Sequence, residues 1–153
     1  MRRKRLIALV AVGVILFLAV STLLARVWSG DGAEQSAVTA LLQDEARGDA
    51  SAMIATMHDC APSPACRARA ATDAATLKRP GTVSVLQYQP STGFSLTSTL
   101  GDARVAWEVV NKTRPIVQCV RVARAGNALS GIHIELLEIS LRLNSTAGCP
   151  KSF

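Results

Sequence analysis

The chain has 153 residues and a formal net charge of +6, a length that fits one domain with an accessory segment. Arg2, Arg3, Lys4, Arg5 and Arg26 gather around one hydrophobic run, while residues 29–153 carry 12 basic against 11 acidic side chains. That balance of +1, with few aromatics, argues against nucleic acid as a partner, which needs a basic stripe and stacking platforms.

Leu6 to Ala25 are twenty residues without a charge, and only Ser21 and Thr22 have polar side chains. At about 1.5 Å per residue such a helix spans roughly the 30 Å hydrocarbon core. Four positive charges precede the run and Arg26 alone follows it. The positive-inside rule then puts the N-terminus in the cytoplasm and the rest outside, in a single-pass protein of the plasma membrane. Trp28 stands where an interfacial aromatic belongs. The rival reading is a cleaved signal peptide, with Ala19-Val20-Ser21 as a small-x-small site. Against it, the apolar run continues through Leu23, Leu24 and Ala25.

The organisation expected is therefore a basic tip and transmembrane anchor over 1–28, a linker over 29–32 (Ser-Gly-Asp-Gly), and an extracytoplasmic domain over 33–153. Ala33 to Ala46 shows helical spacing through Val38, Leu41 and Leu42. Gly48 reads as its stop and Asp49 as the N-cap of a second helix, Ala50 to His58, carrying Met53, Ile54 and Met57. Arg47-Gly48-Asp49 spells an integrin-binding triplet, but at a helix–helix joint it reads as a turn. Ala65 to Lys78 is alanine-rich and helix-prone, and Pro80-Gly81 ends it.

Five segments rich in Val, Ile, Thr and Leu follow: Thr82–Gln89, Gly93–Thr99, Arg104–Asn111, Pro115–Ala123 and Leu129–Ile139. Turn signals separate them, Gly101-Asp102 and Gly126-Asn127 among them. Alternation puts Val105, Trp107 and Val109 on one face. Ile116, Gln118, Val120 and Val122 share another, as do Ile132, Ile134 and Leu136, with His133 and Glu135 opposite. Helices first and hairpin strands after predict an α+β domain: an N-terminal transmembrane helix, then two to three helices packed on a curved antiparallel sheet of four to five strands.

The four cysteines, Cys60, Cys66, Cys119 and Cys149, all follow the anchor. An even number in a small exported domain predicts disulfides, and four allow three pairings. Cys60 and Cys66 bracket Ala-Pro-Ser-Pro-Ala, so that pair is the first choice and leaves Cys119 with Cys149. Zinc at His58, Cys60 and Cys66 is the sharper alternative, but the spacing matches no zinc motif and no metal is expected.

"LLQDEARGDASAMIATM" (Leu41 to Met57), "GDARVAWEVV" (Gly101 to Val110) and "PIVQCVRVARAGNALSGIHIELL" (Pro115 to Leu137) resemble, in their order, the nuclear transport factor 2-like or cystatin-like α+β cone. The layout is similar to membrane-anchored hypothetical proteins of actinobacteria, over residues 33 to 140. The resemblance implies a cone whose mouth holds a polar residue set, often an Asp–His pair. The candidates are His58 with Asp59, and a possible pocket of Glu108, Gln118, His133 and Glu135. Each also reads as structural or solvent-facing, and no nucleophile elbow, phosphate loop or metalloprotease motif occurs. Asn111-Lys112-Thr113 and Asn144-Ser145-Thr146 fit the glycosylation sequon. The expectation is a non-catalytic accessory domain without cofactor, binding an envelope protein or a small ligand. The alternatives are a ligand-binding or enzymatic pocket using His133 and Glu135, and a tethered subunit of a transport or secretion assembly.

Overall fold

The computed structural model describes residues 2–91, 99–110, 114–127 and 131–153. Three helices, α1 (Arg2–Arg47), α2 (Ala50–Thr56) and α3 (Pro64–Thr76), precede four strands, β1 (Val83–Gln89), β2 (Thr99–Val109), β3 (Ile116–Asn127) and β4 (Gly131–Ile139). The strands form one antiparallel meander in the order β1-β2-β3-β4. The chain is α+β, as the order of periodicities implies.

α1 joins what the sequence divides. Ser29–Gly32, expected as a flexible linker, is helical, and the 46 residues form one element. Two glycines cost a helix about 1 kcal/mol each relative to alanine. Extending a helix already formed on both sides is nonetheless easier than nucleating a new one. Among the described residues no helix is long and apolar enough to cross a membrane. Ile15, Leu16 and Phe17 are 67%, 66% and 70% exposed. Successive helical residues point about 100° apart, so the domain covers no side of this stretch. The Trp28 side chain lies outside the described residues.

The other half of α1 is core. Val38, Leu41 and Leu42 are fully buried against the sheet. At its end the Gly48 amide bonds the Glu45 carbonyl and the Asp49 amide bonds the Asp44 carbonyl, with Gly48 at φ 74°. This is the paired closure that a left-handed residue makes possible. A Cβ on Gly48 would also meet the Lys78 side chain at 2.8 Å. Asp49 then caps α2, its carboxylate accepting from the Ala52 amide at 2.9 Å. Arg47-Gly48-Asp49 is thus the helix–helix turn that the sequence suggests. Ser63 caps α3 in the same way, with Pro64 in the first turn.

Met57 and His58 leave α2 along the edge of β4: Met57 pairs with Leu136, and the His58 amide donates to the Leu136 carbonyl at 2.6 Å. A bulge between Val85 and Gln87 brings Tyr88 onto the core side of β1. A second irregularity, opposite Arg121 and Val122, lets Leu136 and Ile139 both face the core. Trp107 sits at 0% exposure among them.

Two strand expectations change. Gly101-Asp102 is not a turn but lies inside β2, opposite Val122 and Arg121. Asp102 is a cross-strand ion partner of Arg121 at 3.0 Å, a use of Asp that composition does not distinguish from a turn. Of the strand expected at Gly93–Thr99, Thr99 opens β2 and the remainder lies outside the described residues.

Residues 140–143 continue beside β3, and the rest of the C-terminal segment lies against the outer face of the sheet. The Leu143 amide bonds the Val117 carbonyl at 2.7 Å, and Arg104 donates to the carbonyls of Ser145 and Ala147. Both expected disulfides are present, Cys60–Cys66 and Cys119–Cys149. The loops they close differ in length, with separations of 6 and 30 residues. In the chain-entropy model, Ser replacement of the Cys119–Cys149 pair costs about 3–4 kcal/mol and of Cys60–Cys66 about 2 kcal/mol. Urea unfolding of the two double variants measures the difference, and equal losses would contradict it.

Candidate functional site

The residues expected to line a pocket do not converge. Gln118 is fully buried in the core. Glu108 is half-buried on the opposite face of β2 from Trp107, paired with Ser84. His133 is exposed and Glu135 half-buried on β4, facing Ala125 and Ala123 in the register. Glu135 does meet an open groove beside Ala37, Thr56, Met57, His58 and Ile134. His58 and Asp59 form an exposed pair, Nε2 to Oδ2 3.2 Å. Cys60 and Cys66 are bonded to each other, so neither thiolate is left for a metal beside His58. Asn111-Lys112-Thr113 lies outside the described residues, and Asn144-Ser145-Thr146 lies exposed in the C-terminal segment.

Two buried polar clusters take the place of that pocket. The first is centred on Glu34, fully buried on α1. Its carboxylate accepts from Tyr88 Oη at 2.6 Å, the Ser91 amide at 2.9 Å and Ser91 Oγ at 2.9 Å. Arg124 closes on it through Nε at 2.9 Å and a second nitrogen at 2.8 Å. Burial alone pushes the Glu34 carboxyl up, but the hydrogen bonds from Tyr88, Ser91 and Arg124 together hold it below the ordinary carboxylate range.

The second cluster lies three turns along the same helix. Trp107 Nε1 donates to Gln118 Oε1 at 2.7 Å. Gln118 Nε2 donates to Glu45 Oε1 at 2.8 Å and to the Ser140 carbonyl at 3.1 Å. Asp73 of α3 is 1% exposed. Glu45 Oε2 and both carboxylate oxygens of Asp73 have no hydrogen-bond partner among the described residues. Burial pushes the Glu45 carboxyl up to about 8, against the Gln118 hydrogen bond and with help from the Asp73 charge. Burial likewise pushes Asp73 up to about 7, with the Arg69 charge opposing. Each acid therefore keeps a proton that a surface carboxyl would have lost.

None of Glu34, Glu45, Asp73 and Arg124 stands out as a motif. The signal lies in the periodicity. Glu34 and Glu45 fall on the stripe of Val38, Leu41 and Leu42, and Arg124 continues the alternation of Ile116, Gln118, Val120 and Val122. A charge on an apolar stripe points to a buried partner.

The arrangement binds protons and pins elements together; its carboxyls are enclosed rather than set in an open mouth. Comparison with family models, with curated proteins and with solved structures finds no match.

Glu34 and Glu45 shift in opposite directions on one helix, and Asp73 of α3 shifts with Glu45. Glu45 and Asp73 have folded values above their ordinary 4.5 and 3.8, so the fold binds more protons than the unfolded chain. Their contribution is complete below about pH 4 and lost as pH rises towards about 8. Glu34 has the reverse sign: its contribution is present above its unfolded value of 4.5 and lost as pH falls through the lowered one. Urea midpoints should therefore peak in weak acid and decline towards pH 8, and Glu45→Gln should flatten the alkaline side. An unchanged midpoint between pH 5 and pH 8 would refute this account. Arg124→Met, which leaves Glu34 buried and charged, should cost about 3–5 kcal/mol. The double variant Glu34→Gln with Arg124→Met should recover part of that loss, as urea unfolding of the two can show.

Proposed function

We propose that the chain is a membrane-anchored extracytoplasmic accessory domain without catalytic activity, built on a nuclear transport factor 2-like cone, that binds an envelope protein or a small ligand. The observation carrying this reading is the split character of α1. From Val10 to Val20 it exposes apolar side chains all round, and further along the same helix Val38, Leu41 and Leu42 are buried in the domain. An apolar stretch exposed on every side is at home in hydrocarbon and not in water. Leu6–Ala25 has the length for a span, and the charges at positions 2–5 give its direction. Two disulfides suit an oxidising compartment outside the cytoplasm. A helix, the break at Arg47-Gly48-Asp49, a second helix and then antiparallel strands are the elements that support the cone resemblance.

The accessory role is favoured by where the polar groups go. Gln118, Glu34 and Arg124 form hydrogen bonds that hold the fold together. A second reading, a binding or enzymatic pocket walled by His133 and Glu135, has the open groove at Glu135 in its favour. A third, a tethered subunit of a transport or secretion assembly, draws on the anchor alone.

Membranes carrying the full chain, alkylated without reduction and measured by intact mass, test the reading. The expected mass is full length with no alkylated thiol. A chain beginning near Thr22 would mean a cleaved leader, and four alkylated cysteines would place the domain in the cytoplasm.

A further inference from the structure

The two halves of α1 are one helix, and this fixes more than attachment. Contacts along the buried half set its direction against the sheet. Glu34 meets Tyr88, Ser91 and Arg124, whereas Gln43 meets Gly81 and Val83, and Glu45 meets Gln118. The chain of α1 therefore runs opposite to β1 and β3. Both strands finish pointing back towards the apolar half of the helix, and β2 and β4 start there. The ends of the β1–β2 and β3–β4 pairs lie on the anchor side. The β2–β3 end lies on the far side.

Distances place that side close to the membrane. Glu34 lies nine positions beyond Ala25, a helical rise of about 13 Å. β3 continues three residues beyond Arg124 to Asn127, about 10 Å back along the same direction. The headgroup layer outside the hydrocarbon is roughly 5–8 Å deep. The strand ends thus reach the level of the headgroups.

Resting on the anchor reading above, we propose that the domain stands on the outer leaflet in one fixed orientation, held by the unbroken helix, with the β1–β2 and β3–β4 ends against lipid headgroups. The opposite end, where β2 passes to β3, faces away from the membrane. Ser29–Gly32 is the segment that transmits this orientation, since the helix passes through it without a break.

The experiment uses the full chain in phosphatidylcholine nanodiscs containing a small fraction of lipid spin-labelled at the headgroup. A fluorescent amino acid is encoded at position 100 or at position 110. Leu100, in β2, and Val110, one residue past its end, are 64% and 51% exposed, about 33 Å apart along the strand direction. Quenching should be several-fold stronger at 100 than at 110. A six-residue Gly-Ser insertion after Gly32 should abolish the difference while leaving nanodisc incorporation intact. Incorporation with equal or reversed quenching would overturn the fixed orientation and leave the anchor standing. A difference that survives the insertion would overturn the helix as its cause. Failure to incorporate would remove the anchor reading and this proposal with it.

Discussion

Trp107 can only donate a hydrogen bond, and burying it obliges the core to supply an acceptor. Gln118 answers with its oxygen, at 2.7 Å, and that choice orients the rest. With the oxygen turned to Trp107, the amide nitrogen must face Glu45 of α1 and the Ser140 carbonyl. One neutral side chain thereby ties the first helix, two central strands and the start of the C-terminal segment. A glutamate at 118 would place a second acid beside Glu45. An apolar residue would leave Trp107 and Glu45 unpaired in the interior, where each orphaned group costs about 1–3 kcal/mol.

The same helix shows how surroundings decide what a carboxyl does. Glu34 and Glu45 are both fully buried on α1. Glu34 has a guanidinium, two hydroxyls and a backbone amide around it, which suit a charge. Glu45 has one amide and a neighbouring acid, which suit a proton. Burial acts on both in the same direction, so the difference comes from partners on the strands and on α3. The Glu34 end is fixed by charge and the Glu45 end by a neutral network, on one rigid element.

Much of this was legible in the chain. Hydrophobic alternation named the inward faces of β2 and β3, and Gly48 and Asp49 marked the joint between α1 and α2. Local chemistry suffices there, because a left-handed glycine and a capping carboxylate act over four or five residues. What escaped depended on distant pairing. Gly101-Asp102 reads as a turn until Arg121 is known to lie across from it. Ser29–Gly32 reads as a linker because each residue disfavours helix, yet the helices on either side carry it through. His133 and Glu135 shared a strand face as expected, but no alternation tells whether that face meets a cavity.

The sheet has two faces and the helices cover only one. On the other, the central strand presents Val117 and Cys119, both buried, although no helix among the described residues lies over them. The C-terminal segment provides the cover with few apolar side chains of its own. It is held instead by a bridge to Val117, by the Cys119–Cys149 bond and by Arg104 and Arg121 gripping its carbonyls. The Cys60–Cys66 bond stands at a similar weak place, the connection between α2 and α3, where the chain leaves the edge of β4. Hydrophobic area grows with the number of buried residues, and short covering segments have little of it. Each disulfide thus ties a short segment to a buried cysteine, Cys119 holding the C-terminal segment to the outer face of β3 and Cys60 closing the α2–α3 connection, while the Trp107–Gln118–Glu45 tie holds the inner face.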